Sequence, residues 1–212
     1  MSDVRTGVRR PAVQARSRAT IERILVAAGY TFDEVGLEAA TMEAIAERAG
    51  SSIGAVYRFF GEKQSLVTTL AQRCEQRSTE MFADLFSADS LRRSSDVVIA
   101  EFIANLQRLL DEIPGARAIM AAMLVGPAVE QMWMAHVERF IVNYAPRLSK
   151  SRRRVAAHTY HTITLALLAS PIPPGASLSK HLQEARTVLT GYIQALADES
   201  LRAGTAAEVR RR

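Results

Sequence analysis

In the stretch SSIGAVYRFFGEK, Ser51 to Lys63, two hydroxyls, a glycine, a phenol, a guanidinium and an ammonium follow one another closely. Together they suit contact with a polyanion. Ser52 can cap a short helix beginning at Ile53 and leave its first backbone N–H groups near phosphate. Gly54 and Ala55 keep one face of that helix small, so that backbone and short side chains come close to base edges. Arg58 is the one long cation on it and can donate to guanine O6 and N7. The Tyr57 hydroxyl suits a phosphate. Lys63, at the start of the following helix, brings its charge and that helix's N-terminus to another phosphate. The bland alternative is a packing corner with Tyr57, Phe59 and Phe60 buried, and for Phe60 that is the favoured reading.

The elements that must hold this stretch are helical. Ile21, Ile24, Leu25, Ala28 and Phe32 share one face of a helix that starts near Ala19, and Gly36 ends it. Thr41 stands as the N-cap of a second helix, with Glu43 in its first turn. Gly50 stops that helix, and the tight turn Ala49-Gly50-Ser51 leads into the third. Two short helices joined this way form a helix-turn-helix, whose second helix enters the major groove. A long fourth helix carries Leu66, Leu70, Cys74, Met81 and Leu85. Further helices are expected at about 94–112, 115–123, 126–145, 151–170 and 179–202, separated by Pro114, Gly126-Pro127, Pro146 and Pro171-Ile172-Pro173-Pro174-Gly175. No strand alternation persists, so the chain reads as all-α. The expected organisation is a flexible basic arm at 1–15, a helix-turn-helix domain at 16–62 and a larger helical domain at 63–212.

Composition agrees with a nucleic-acid partner without demanding one. The 212 residues carry a net charge of +5 and are 48% hydrophobic and 23% charged. The surplus is uneven: Arg5, Arg9, Arg10, Arg16 and Arg18 stand near the start, and Arg147, Lys150, Arg152, Arg153 and Arg154 form a second knot. The second knot reads as an exposed helix start rather than a second DNA site. One cysteine excludes an internal disulfide and points to a reducing compartment. With no secretory signal and no run of about 20 apolar residues, the expected location is the cytoplasm. Catalysis is poorly supported. His158 and His161 lie three apart but lack the zinc-protease glutamate and a third ligand. Cys74 has no histidine nearby and reads as a core residue. No phosphate-cradling glycine loop is present and no cofactor is implied.

The run TMEAIAERAGSSIGAVYRFFGEKQSL resembles the DNA-binding signature of the tetracycline-repressor (TetR) family. Phe32, Gly36, Thr41, Ile45-Ala46, Ala49-Gly50, Ser52, Gly54, Tyr57, Phe60, Lys63 and Leu66 carry the resemblance, over about 20–70. Two positions depart from it: Phe59 stands where histidine is frequent, and Glu62 where serine or asparagine is. The resemblance implies a homodimeric transcription regulator, usually a repressor, with an N-terminal three-helix DNA-binding domain and a larger helical domain for ligand and dimerisation. It makes Thr41, Tyr57 and Lys63 phosphate contacts and places Ser52, Ile53, Ala55 and Arg58 where bases are read.

The remaining chain offers a pocket and an interface. Met120, Met123, Met132, Trp133, Met134, His136, Val137 and Phe140 cluster on adjoining helices. Such a stripe is ordinarily core, but adaptable methionines and aromatics between helices also build apolar ligand sites. With Phe102 and Tyr160 added, the expected ligand is a hydrophobic small molecule, oriented by His136 or Tyr160. Leu165 and Leu168, then Leu182, Ala185, Leu189, Ile193 and Leu196, form stripes with helical spacing. Spacing leaves them open as intramolecular core; the resemblance implies a four-helix bundle with a second copy. Symmetry would then set two reader helices about 34–36 Å apart on a palindromic operator. Ligand binding to one state would shift the population away from the DNA-fitting one, with the fourth helix as lever. The alternative is a helical ligand-binding or protein-interaction module without operator-specific DNA binding.

Overall fold

The first helix, α1 (Arg9–Ala39), is rich in alanine and arginine, both good helix formers. It begins earlier than the apolar spacing suggests. Pro11 lies in its first turn, where a missing N–H removes no helical bond. Of the expected arm at 1–15, residues 1–8 lie outside the described residues, and from Arg9 the chain is helical. The computed structural model describes residues 9–82, 85, 87, 89–124, 127–170 and 172–209. The helical path breaks at Gly36, with φ 81° and ψ 166°, and one further turn follows.

Helices α2 (Met42–Arg48), α3 (Ile53–Phe60) and α4 (Lys63–Phe82) come next. Thr41 caps α2, its hydroxyl oxygen accepting from the Ala44 N–H at 3.2 Å. A Schellman turn ends it: the Ser51 N–H donates to the Ala46 carbonyl and the Gly50 N–H to that of Glu47, both at 3.0 Å. Gly50 takes φ 57°, a left-handed conformation that suits glycine. After it come α5 (Ser95–Glu112), α6 (Ala116–Leu124), α7 (Pro127–Tyr144), α8 (Lys150–Ala169) and α9 (Leu178–Val209). Every helix and strand assignment among the described residues is helical, so the fold is all-α.

By packing the chain forms two units. The first holds the described residues up to Cys74 together with Ile113–Ile119. Its core is Ile24, Leu25, Ala28 and Phe32 of α1, Ile45 of α2, Val56 of α3, and Leu66 and Leu70 of α4. The boundary expected after residue 62 falls at the turn before α4, whereas the packing carries α4 as far as Cys74 into this unit.

The second unit holds Glu75–Glu112 and the described residues from Met120 on. Val98, Ile99, Phe102 and Leu106 of α5 join Val137, Phe140 and Ile141 of α7, Ala156, Ala157 and Tyr160 of α8, and Leu182, Leu189, Ile193 and Leu196 of α9 in one core. The start of α8 is pinned to α9. Ser149 caps it, the Arg152 guanidinium donates to both Glu199 carboxylate oxygens at 2.9–3.2 Å, and the Arg147 N–H donates to Ser200 Oγ at 2.9 Å. One cation of the basic knot at 147–154, Arg152, is thus paired within the protein, and Arg147 is tied down through its backbone.

Candidate functional site

The α3 helix owes its start to Ser52, whose Oγ accepts from the Ala55 N–H at 3.2 Å, and its end to Gly61. Val56 and Phe60 turn inward as its anchors, at 0% and 8% exposure. The opposite side faces solvent: Ser52, Ile53, Gly54, Tyr57 and Arg58 are exposed, and Ala55 is half-buried. These residues thus share an outward face, and the packing-corner reading fails for Tyr57 while holding for Phe60. Thr41, capping α2, is exposed as well. Both capping hydroxyls accept a backbone bond and keep their own proton to donate outward.

Arg58 lies over the Phe59 ring, with its guanidinium carbon 4.7 Å from the ring centre. Phe59, where the resembling family often has histidine, therefore carries the arginine. Swinging Arg58 onto a base edge costs that contact, about 0.5–1 kcal/mol at an exposed site, less than the gain of about 1–3 kcal/mol from a bidentate guanine pair.

Lys63 has a role that its position in sequence does not disclose. Its ammonium donates to the carbonyls of Leu37, Glu38 and Ala40, at 2.7, 2.9 and 3.0 Å. Those carbonyls end α1 just past the break at Gly36 and lack helical partners. All three donors are spent, so in this arrangement the ammonium ties the start of α4 to the end of α1 and does not point at phosphate. Lys63→Met should lower stability by about 2 kcal/mol: charge-assisted bonds are lost, and water partly replaces them. A urea melt followed by circular dichroism measures this; a lysine that only met phosphate would leave the melt unchanged.

Cys74 is 1% exposed, and burial, with the Asp33 carboxylate second, pushes its thiol up to about 11. A protonated buried thiol is a poor nucleophile. His158 is exposed on α8 while His161 is buried, and no group of three or more potential ligands gathers among the described residues. No helix among them is long and apolar enough to cross a membrane.

The second unit contains a cavity of about 300 Å³, counted to its open side. Phe102, Trp133, Val137 and Tyr160 line it, as expected, together with Leu85, Val98, Ile99 and Phe140. The Phe102 and Trp133 rings stand 5.6 Å apart, and Phe140 and Tyr160 6.1 Å apart. Three expected residues are not among its walls. Met120 packs against the core, and Met123 is half-buried. His136 is half-buried with its Nδ1 2.7 Å from an Arg139 nitrogen, and its pKa is lowered by burial first and by that guanidinium second. The side chain of Met132 lies outside the described residues. Val98 and Ile99 escaped the sequence reading because a stripe facing a cavity has the spacing of one facing core.

The expected dimer stripe requires correction. Leu168, Leu182, Ala185, Leu189, Ile193 and Leu196 are 1–3% exposed within one chain, and Leu165 packs against the same core. The buried six are taken up by the core within one chain and have almost no surface left for a second copy, while Leu165 is half-buried. What α8 and α9 leave outward is different: Val155, Thr162 and Ala166 on one, Val188, Gly191 and Ala195 on the other.

Residues 24–70 match the family described as bacterial regulatory proteins, tetR family. None of the curated proteins is similar to the chain in sequence. Several solved structures are similar in fold. The TetR-family protein CprB from S. coelicolor A3(2) is 19% identical with a TM-score of 0.57, over 87% of this chain and 99% of that one. A gamma-butyrolactone receptor (ArpA-like protein) is 17% identical with a TM-score of 0.55, again over 87% and 99%. A transcriptional regulator from Rhodococcus sp. RHA1 is 18% identical with a TM-score of 0.51, over 82% and 95%. At such identities the likeness establishes a shared fold. The family's signature at 24–70 thus lies on the helix-turn-helix whose α3 presents an exposed face, and the fold shared with these structures extends over most of the chain.

Proposed function

We propose that this protein is a cytoplasmic transcription regulator that binds a palindromic operator as a homodimer, most simply as a repressor, and is released by a hydrophobic small molecule. Gly54 carries the DNA-binding part of this reading. It lies inside α3 and is exposed, and a methyl group added there would meet nothing within 4 Å. Glycine inside a helix costs about 1 kcal/mol relative to alanine. The chain itself gains nothing for that cost, so the reason lies in a partner that approaches the backbone closely. Between Ser52, Ile53, Ala55 and Arg58, that partner is the floor of a major groove, with Thr41 and Tyr57 on the flanking phosphates.

A mobility-shift assay on the protein's own upstream DNA, at several salt concentrations, tests this. Binding should weaken steeply as salt rises. Gly54→Ala should stabilise the fold by up to about 1 kcal/mol and yet weaken operator binding about tenfold, since the methyl keeps backbone and base edge apart. Unchanged operator binding in that variant would remove the argument. Arg58→Ala should relax sequence preference, while Tyr57→Phe weakens binding to all sequences alike.

The aromatic-walled cavity of the second unit supports a small-molecule effector, and the fold shared with a gamma-butyrolactone receptor agrees with one. Such a molecule acts by binding one state of the dimer more tightly than the other. The outward residues of α8 and α9, centred on Val188 and Gly191, are the surface we assign to dimerisation.

A further inference from the structure

We propose that the effector is an uncharged, chain-like molecule with one hydrogen-bond acceptor, such as a ketone or ester carbonyl, which receives the Tyr160 hydroxyl proton. The proposal rests on reading the cavity as the effector site and goes on to name the chemistry it selects.

Tyr160 is 5% exposed and lines the cavity, and its hydroxyl makes no hydrogen bond among the described residues. No described residue ties this hydroxyl down, so its proton is available to a molecule in the cavity. Burial alone raises the Tyr160 pKa, which keeps the phenol protonated and leaves it a donor. Among the described residues, none of the other walls, from Val98 and Phe102 to Trp133 and Phe140, carries a charge. An ionised ligand would lose its hydration there and find no counter-charge. His136, the other polar candidate, is not in the wall.

The shape argues for a tail. Phe102 also lines a second space of about 230 Å³, counted to its open side, with Leu106, Leu168, Leu182 and Leu189. The one polar residue among its described walls, Thr164, already donates to the Tyr160 carbonyl at 2.9 Å. The Tyr160 hydroxyl and the Trp133 indole N–H are thus the polar groups of the first cavity's described walls, the hydroxyl being unbonded to any other described residue, and the described walls of the second space accept hydrocarbon.

Trp133, the chain's single tryptophan, stands in the cavity wall, so its fluorescence reports occupancy. Three probes are titrated into the full chain and into Tyr160→Phe: 2-decanone, decanoate and propylbenzene. The ketone should bind the parent protein about fivefold to tenfold more tightly than the variant, the effect of one hydrogen bond. Propylbenzene, which has no acceptor, should bind both alike, which also shows that the variant keeps its cavity. Decanoate should bind at least tenfold more weakly than the ketone. If propylbenzene binds and the ketone does not distinguish the two proteins, the hydroxyl assignment falls while the cavity stands. Decanoate binding as tightly as the ketone refutes the uncharged class. If none of the probes moves Trp133 emission, the cavity reading and the proposal fall together.

Discussion

Replacing Gly115 by alanine is expected to cost about 4 kcal/mol of stability. Gly115 takes φ 84°, where an L side chain costs about 1–2 kcal/mol. Its added methyl would also stand 2.6 Å from Gly29 Cα in α1, a backbone atom that cannot swing aside. Overpacking of that kind costs about 1–3 kcal/mol, and the two penalties add because one is local and the other is not. Around this contact the turn before α6 is tied down: the Gly115 N–H donates to Asp33 Oδ2 at 2.8 Å, and Arg117 donates to the Asp33 carbonyl at 3.3 Å. Gly29→Ala is the matched control. Its methyl would lie 2.1 Å from the Pro114 carbonyl oxygen. Alanine favours the helix by about 1 kcal/mol, so the net loss there should be smaller, about 2 kcal/mol. Urea denaturation followed by circular dichroism decides the matter. A Gly115→Ala loss below about 1 kcal/mol would show that 113–119 does not need to lie against α1. The contact also bears on regulation. The chain crosses between the two units three times, within α4 after Cys74, at the end of α5 after Glu112 and within α6 after Ile119, and the sequence had suggested α4 alone as the lever.

Leu189→Ala should cost about 3 kcal/mol, within the range for a large core side chain cut back to alanine. Leu189 is 1% exposed and walls the second space beside Phe102, so truncation enlarges a void that neighbouring leucines cannot fill. Sedimentation should find its association state equal to that of the parent protein at the same concentration. Val188→Glu should behave in the opposite way. Val188 is 46% exposed, and a carboxylate there costs the single chain little but would be desolvated in a symmetric interface beside its own copy. The dimer should therefore weaken in Val188→Glu and persist in Leu189→Ala. Dissociation of Leu189→Ala at concentrations where Val188→Glu stays paired would return the α9 stripe to the interface.

What the sequence determined by itself were features whose causes lie within four or five residues. Thr41 and Ser52 bond to N–H groups three positions on, and the Gly50 turn closes over Ala46 to Ser51. Every such partner was visible beside its residue, so the helix-turn-helix and the outward face of α3 could be read from the chain. Tertiary structure alone decided the rest. Lys63 reaches carbonyls more than twenty positions back, and Gly115 meets Gly29 across most of the first unit's length. No local spacing encodes such partners. The α9 stripe is the sharpest case. A helix must bury one apolar face, and that requirement is the same whether the cover is another helix of the same chain or a second copy. Periodicity fixed which residues of α9 are buried. Only the packing of α5, α7 and α8 decided what buries them, and left Val188 and Gly191 to face outward.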